Sequence, residues 1–524
     1  MTSREPAPLN RLSVDRRRLL TTSGGLAVAA GALGFAPARA AGSPGQIRTR
    51  LALPSGVQTG DVTTTSGVLW SRSSGEGRLV ARLTSGGIKR TVRGPQATEA
   101  SDFTARIDLT GLAPGRQYDA ELWFETEDGT AGEVEHARFR TAPIHHASTS
   151  FVWTGDTAGQ GWGINPDLGG MTAYATMHAT DPDFFLHSGD TVYADGPIAE
   201  TVVEPDGQVW RNLVIPEITK VAEDLGEFRA RHRYNLMDHN VRAFYADVPV
   251  IAQWDDHETT NNWYPGEVLT DARYTERRVD VLAARARQAW QEYQPISTAA
   301  VKSRGGTGFA AARIYRKIGR GPHLDVFSLD MRTFKSKNTP GLEAHETPIL
   351  GVEQVNWLLR EVRRSRATWK VIAADMPIGL VVPDGAAQES VSNRDDGAPL
   401  GRELEIARVL RGLKGVPNVL WLTADVHYCA AHHYSPERAA FTDFDPFWEI
   451  VAGPINAGSF GPNALDGTFG PEVVFQKAAD YPNQSPRGGN QFFGHVTIDR
   501  HGELTVSLRD TAGATLWSQQ LPPV

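Results

Sequence analysis

One recurring unit constrains this chain more than any other feature: a short apolar run that stops at an acid. Phe151-Val152-Trp153 runs to Gly155-Asp156, and Asp183-Phe184-Phe185-Leu186-His187 runs to Gly189-Asp190. The run at 248–254 ends at Asp255-Asp256-His257, that at 324–329 at Asp330, that at 369–374 at Asp375, and that at 419–423 just before Asp425. Runs this short and this apolar are the pattern of strands buried on both faces. Helical stretches separate them, so residues 148–524 predict an α/β domain. Ligands in such sheets bind at the carboxyl ends of strands, which here are acidic.

The region 47–143 has a different texture. Gly67-Val68-Leu69-Trp70-Ser71-Arg72, Leu79-Val80-Ala81-Arg82-Leu83 and Phe103-Thr104-Ala105-Arg106-Ile107 alternate in polarity, and turn residues recur between them. Leu112-Ala113-Pro114-Gly115 leads into Tyr118-Asp119-Ala120-Glu121-Leu122-Trp123-Phe124 in a pattern that resembles a fibronectin type III-like β-sandwich. Thr141-Ala142-Pro143 reads as a linker. The 524 residues are too many for one ordinary core, which agrees with more than one domain.

Residues 1–40 read as a targeting segment. Asp15-Arg16-Arg17-Arg18-Leu19-Leu20 precedes a mild apolar stretch, and Ala38-Arg39-Ala40 supplies small residues for cleavage. The paired arginines resemble a twin-arginine export signal. They imply the twin-arginine machinery as a partner, a secreted or cell-envelope location, and a protein that folds and loads metal before export. No apolar run reaches the roughly 18 residues of a membrane span. The net charge of −8 argues against a nucleic-acid-binding protein, which would need a basic face. With a single cysteine, Cys429, the chain has neither an internal disulfide nor a cysteine cluster. Any metal must be bound mainly by Asp, Asn, His or Tyr, a donor set suited to hard ions such as Fe³⁺, Ca²⁺, Mn²⁺ or Mg²⁺.

Four segments carry candidate chemistry. In His187-Ser188-Gly189-Asp190-Thr191-Val192-Tyr193, the glycine lets the backbone turn and frees the Asp190 carboxylate, and Tyr193 offers a hard phenolate. A carboxylate has two oxygens and can bridge two metals. Asp255-Asp256-His257-Glu258 would repel itself without a cation. Asp256 is the expected ligand there and His257 the expected proton donor, with Asn261 close enough in sequence to contact a bound phosphate. Asp425-Val426-His427 is expected to put two ligands on one face of an extended segment. Gly155-Asp156-Thr157 and Asp375 add two further acidic strand ends, and Arg332 is a candidate for binding phosphate.

Together these segments resemble the PhoD-like alkaline phosphatases, within the wider calcineurin-like and purple acid phosphatase type. The resemblance rests on the run from Asp183 to Tyr193, on Trp254-Asp255-Asp256-His257-Glu258, and on Thr423-Ala424-Asp425-Val426-His427-Tyr428. Leu329-Asp330-Met331-Arg332 and Trp448-Glu449-Ile450-Val451-Ala452-Gly453-Pro454 also fit. It implies an αββα metallophosphoesterase sandwich preceded by the small β-sandwich. It also implies two metal ions, Fe³⁺ and Ca²⁺. One would be held by Asp156, Asp190, Tyr193 and His427. The other would share Asp190 and take Asp256 and Asp425, with Asp375 as a further candidate. The implied reaction is hydrolysis of a small phosphate ester by a metal-activated hydroxide, with His257 as general acid. The same core serves phosphodiesterases, including phospholipase D-type enzymes. A non-catalytic Ca²⁺-dependent binding protein is the reading from another class. Family members carry a cysteine as first metal ligand, and the matching position here is Asp156, as in purple acid phosphatases. Cys429 is read as a buried strand thiol.

Overall fold

The apolar runs become the inner strands of two stacked sheets. The computed structural model describes residues 50–297 and 313–524, so the export signal expected at 1–40 lies outside the described residues. In the first sheet Thr149–Thr154, Phe184–His187 and Val250–Ala252 lie side by side and parallel. In the second, Leu324–Ser328, Trp369–Ala373, Val419–Thr423 and Phe447–Val451 do the same. Further strands, most of them antiparallel, complete sheets of nine and seven strands.

Successive side chains of a strand point to opposite faces, and here both faces are covered. Phe151 and Trp153 face the core between the sheets, as do Phe184, Leu186, Leu420 and Leu422. Val152 and Phe185 face outward, onto a core shared with the helices Thr172–His178, His239–Asp247 and Val279–Tyr293. Ile372 and Trp421 face the opposite way, under Val352–Arg364 and Arg402–Leu413. The result is four layers, helix–sheet–sheet–helix. Val355, Leu358 and Val362 show why one of those helices docks: apolar residues recur along one side of it.

The N-terminal β-sandwich forms as expected, with Leu69, Leu79, Ile107, Leu122 and Phe124 in its core. Its attachment differs from a linker between separate bodies. Val57–Gly60 pairs in parallel with Val250–Ala252, so one sheet of the sandwich continues the nine-stranded sheet. Trp70 then donates to the Glu292 carbonyl at 2.7 Å. Asp61 accepts from Arg316 Nε and Nη2, both side chains being 1% exposed. Ala142, within the expected linker, donates to the Thr63 carbonyl. Residues Arg50–Val524 pack as one compact unit.

Candidate active site

All the inner strands of both sheets end on the same edge, and each hands its chain to a loop that turns sharply. Gly189 makes the turn at φ +88°, as its place before Asp190 predicts; a side chain there would strike Asp255. Asp156, Asp190, Asp425 and His427 themselves have φ between +50° and +67°. A non-glycine residue in the left-handed region costs energy, and such residues cluster at functional sites. Asp tolerates the conformation better than most.

These turns bring the expected ligands together. Oxygen and nitrogen atoms of Asp156, Asp190 and His427 lie within 4.8 Å of one another, as do those of Asp190, Asp256 and His257, and those of Asp255, Asp256 and Asp425. The Tyr193 hydroxyl donates to His427 Nε2 at 2.8 Å, and His427 Nδ1 donates to the Gly458 carbonyl at 2.5 Å. That second bond fixes the tautomer and leaves Nε2 facing the acids. Gly453, in the Ala452-Gly453-Pro454 segment, gives Asp156 its room: a side chain there would meet the carboxylate.

Asp425 and His427 do converge, but not by strand alternation. The strand begins only at Cys429, and both residues sit in the preceding loop in left-handed conformation. The loop sends them to different groups, His427 towards Asp156 and Asp425 towards Asp256. Cys429 itself is buried, its thiol pushed up to about 12 by burial.

The acids of 255–258 separate by role. Glu258 accepts from the Thr191 amide and hydroxyl at 2.6 Å and from the Asp255 amide at 2.8 Å, stapling two site loops together. Asp255 pairs with Arg332. Asp256 keeps a buried oxygen with no hydrogen-bond partner, and both oxygens of Asp156 are in the same state. Buried polar atoms are almost always satisfied. Orphaned carboxylate oxygens beside a neutral imidazole and a phenol are a donor set that fits hard cations. Burial, and then the charges of Asp255 and Asp256, push the Asp156, Asp190 and Asp425 carboxyls well above the usual range. Burial and the Asp190 charge raise the Tyr193 phenol likewise, and burial holds His427 at about 4 and therefore neutral. Since His427 is neutral, its 3.5 Å approach to Asp156 is not an ion pair but the spacing of two donors facing one point. These acids cannot all ionise together without added positive charge.

His257 is the exception. Burial works against its charge, but Asp195 and Asp256 outweigh it and raise it to about 10. Its Nδ1 donates to Asp195 Oδ1 at 2.8 Å, and its ring lies tilted by 31° with its centroid 4.3 Å from that of Tyr193. Asp195 has no local signature in the sequence beyond its place two residues after Tyr193 in the same segment. Its other oxygen accepts from the Asn261 amide at 2.9 Å, leaving the Asn261 side chain exposed at the rim.

Arg332 does not take the phosphate-binding place expected of it. Its side chain has no exposure, and carboxylates surround it: Asp255, Asp256, Asp375, Glu389 and Asp425. Asp375, buried at its strand end, lies 3.6 Å from the guanidinium rather than in any of the three donor groups.

Comparison with known proteins agrees with this geometry. Residues 151–516 match the model of the PhoD-like phosphatase family, and residues 38–143 that of the PhoD-like phosphatase N-terminal domain. Alkaline phosphatase D of Bacillus subtilis (strain 168) is 26% identical over 440 residues, 78% of this chain and 70% of that protein. A solved structure of PhoD superposes with a TM-score of 0.66 at 18% identity, covering 92% of this chain and 94% of that one. Purple acid phosphatase PPD1 from yellow lupin (Lupinus luteus) seeds does so at 0.56 and 12% identity, covering 90% and 73%. The last two share the αββα fold, and the family assignment sets aside the non-catalytic binding protein. The chain belongs to the PhoD-like phosphatase family and is a phosphoric ester hydrolase.

Proposed function

We propose that this hydrolase is an exported alkaline phosphatase that takes small phosphate monoesters, and that it would hold two metal ions with Asp190 serving both. The observation that carries the reading is the membership of Asp190 in two cation-competent groups at once. Asp156, Tyr193 and His427 would complete one ion's ligands, and Asp256 and Asp425 the other's. A phenolate suits a trivalent ion and an all-carboxylate set suits a divalent one, which supports Fe³⁺ and Ca²⁺ in that order. When bound, the ions supply charge that stabilises the phosphoryl group and lower the pKa of water.

The side chains do the rest. His257 is protonated and oriented by Asp195, so its free Nε2 can give a proton to the leaving oxygen. Asn261 at the rim is the side chain offered to the phosphate. The alkaline assignment draws support from the name of the Bacillus subtilis relative. Export draws support from Arg16-Arg17 and Ala38-Arg39-Ala40, which lie outside the described residues.

Rates on p-nitrophenyl phosphate and bis-p-nitrophenyl phosphate test the substrate class. The monoester is expected to turn over faster, and a faster diester would move the assignment to a phosphodiesterase. Elemental analysis with a visible spectrum tests the ions. A tyrosinate–iron band that disappears in Tyr193→Phe is expected, and iron bound with no such band removes Tyr193 from the ligand set.

A further inference from the structure

The candidate active site draws on the carboxyl ends of the parallel strands. At their amino ends a second set of metal-binding side chains meets. His323 stands directly before Leu324–Ser328, and Thr368 directly before Trp369–Ala373. His146 lies on the connection that leaves the N-terminal sandwich and enters Thr149–Thr154. Ile498 pairs with Thr149, which brings the turn carrying Asp499, Arg500 and His501 to the same corner. The connection is held close there. Gly321, at φ +93°, passes so near Pro143 that a Cβ would stand 2.3 Å from its carbonyl oxygen.

His146 Nδ1 stands 3.2 Å from His323 Nε2, with the ring centroids 4.5 Å apart and the planes at 65°. Two imidazoles bound to one tetrahedral ion at about 2.0–2.1 Å have their nitrogens about 3.3 Å apart. The other nitrogen of His323, Nδ1, lies 3.2 Å from Thr368 Oγ1. A metal ion on Nε2 places the ring proton on Nδ1, where the threonine hydroxyl accepts it. Metal-bound histidines ordinarily have such an outer partner. The Arg500 carbonyl oxygen lies 3.3 Å from the same Nε2. Asp499 is close enough to favour positive charge at His323, and its Oδ1 accepts from the His501 and Glu503 amides, which fixes the carboxylate in the turn. Burial lowers the His323 pKa, so the ring is neutral, the form that binds a metal ion. His323 is 3% exposed, whereas His146 is at the surface. One ligand is therefore held rigidly, and the other lies where an ion can enter.

We propose that His146 and His323 form a binding site for a borderline transition ion, Zn²⁺ foremost, with Asp499 supplying negative charge beside it. Imidazole nitrogens suit such ions, while the oxygen-rich active site suits hard ones, so the two ends of the strands select different metals. An ion here ties the connection at 143–148 to the strand starts of the hydrolase layers. Because it binds the folded chain and not the unfolded one, it stabilises the join in proportion to its concentration. The proposal does not depend on which ions the active site holds.

The test titrates ZnCl₂ into the enzyme as isolated, with its own active-site ions in place, and reads zinc bound per chain and Tm. The wild type is expected to bind one more Zn²⁺ per chain than His146→Ala, and to gain several degrees in Tm that the variant does not gain. His146→Gln, which keeps a hydrogen-bonding side chain but no imidazole, is expected to behave as His146→Ala does, and it replaces that variant if the alanine form does not fold. Equal zinc uptake by the wild type and either folded variant overturns the proposal and leaves the two rings joined by a hydrogen bond only. A second reading uses CuCl₂ and electron paramagnetic resonance. Coupling to two nitrogens, lost in the variants, is expected; copper bound through oxygen alone overturns the assignment of the histidines as ligands.

Discussion

His257 keeps its proton at a pH where an ordinary histidine has lost it. Its pKa is raised to about 10 in the folded state, against about 6.5 for the free side chain. A raised value means that the bound proton stabilises the fold fully below about pH 6.5, and that this contribution is lost as pH rises through about 10. The same proton is the one a leaving oxygen needs, so activity is expected to fall on the alkaline side near that value. Removing the Asp195 charge weakens the hold. Asp195→Asn should move the alkaline limb of the kcat/KM profile down by about one pH unit or more, roughly the 1.4 kcal/mol of a close charge. An unmoved limb would separate Asp195 from the proton. Asp190→Ala removes the shared carboxylate and should lower kcat by at least about a thousandfold, as loss of a principal electrostatic group does, with the circular dichroism spectrum retained. The glycine–acid pairs made Asp156 and Asp190 legible, because a free carboxylate at a strand end is a local property. Asp195 was less so: nothing local distinguishes an acid that orients a histidine 62 positions away.

The strands were legible because each run is apolar at consecutive positions, and such a run survives only where both faces are covered. Val419–Thr423 begins and ends where the run does. Val250–Ala252 is shorter than its run, since Trp254 already belongs to the turn that presents Asp255 and Asp256. The loop after Val419–Thr423 departs from the extended segment its sequence predicts, because an Asp-x-His triplet looks the same whether extended or coiled through two left-handed residues. Packing between the sheets leaves little slack. A Cβ on Gly494 would stand 2.0 Å from the buried Trp153 ring, so Gly494→Ala must displace the strand Thr149–Thr154 that leads to Asp156. A loss of about 1–3 kcal/mol is expected for such overpacking, read as a lower denaturant midpoint. A midpoint equal to that of the wild type would mean that the sheets separate more easily than the contact implies.

At the scale of the whole molecule, the N-terminal sandwich and the hydrolase layers share a sheet, so neither is expected to stand without the other. Residues 148–524 expressed alone would expose the edge of Val250–Ala252 and leave Arg316 buried without Asp61. That fragment should be insoluble or inactive. A folded, active fragment would show the sandwich to be an accessory. Within the full chain, Asp61→Ala strands the Arg316 charge and should cost about 3–5 kcal/mol, lowering Tm for the unit as a whole. Equal stability would place the join in the strand pairing instead. Among the described residues no helix is long and apolar enough to cross a membrane.

The sequence by itself determined the layers and most of the candidate ligand set. Apolar periodicity and the acids at strand ends are local patterns, and each strand carries its own copy. The tertiary structure alone decided what those acids do beside one another. Asp255, Asp256 and Glu258 are nearly adjacent in the chain, yet one meets Arg332, one keeps an unpartnered oxygen beside Asp190 and Asp425, and one staples Thr191. Arg332, read as a phosphate ligand, becomes an internal counter-charge because the four acids around it other than Glu389 come from three separate strand ends. Charge compensation depends on distance in space, and that distance is set only when the two sheets stack.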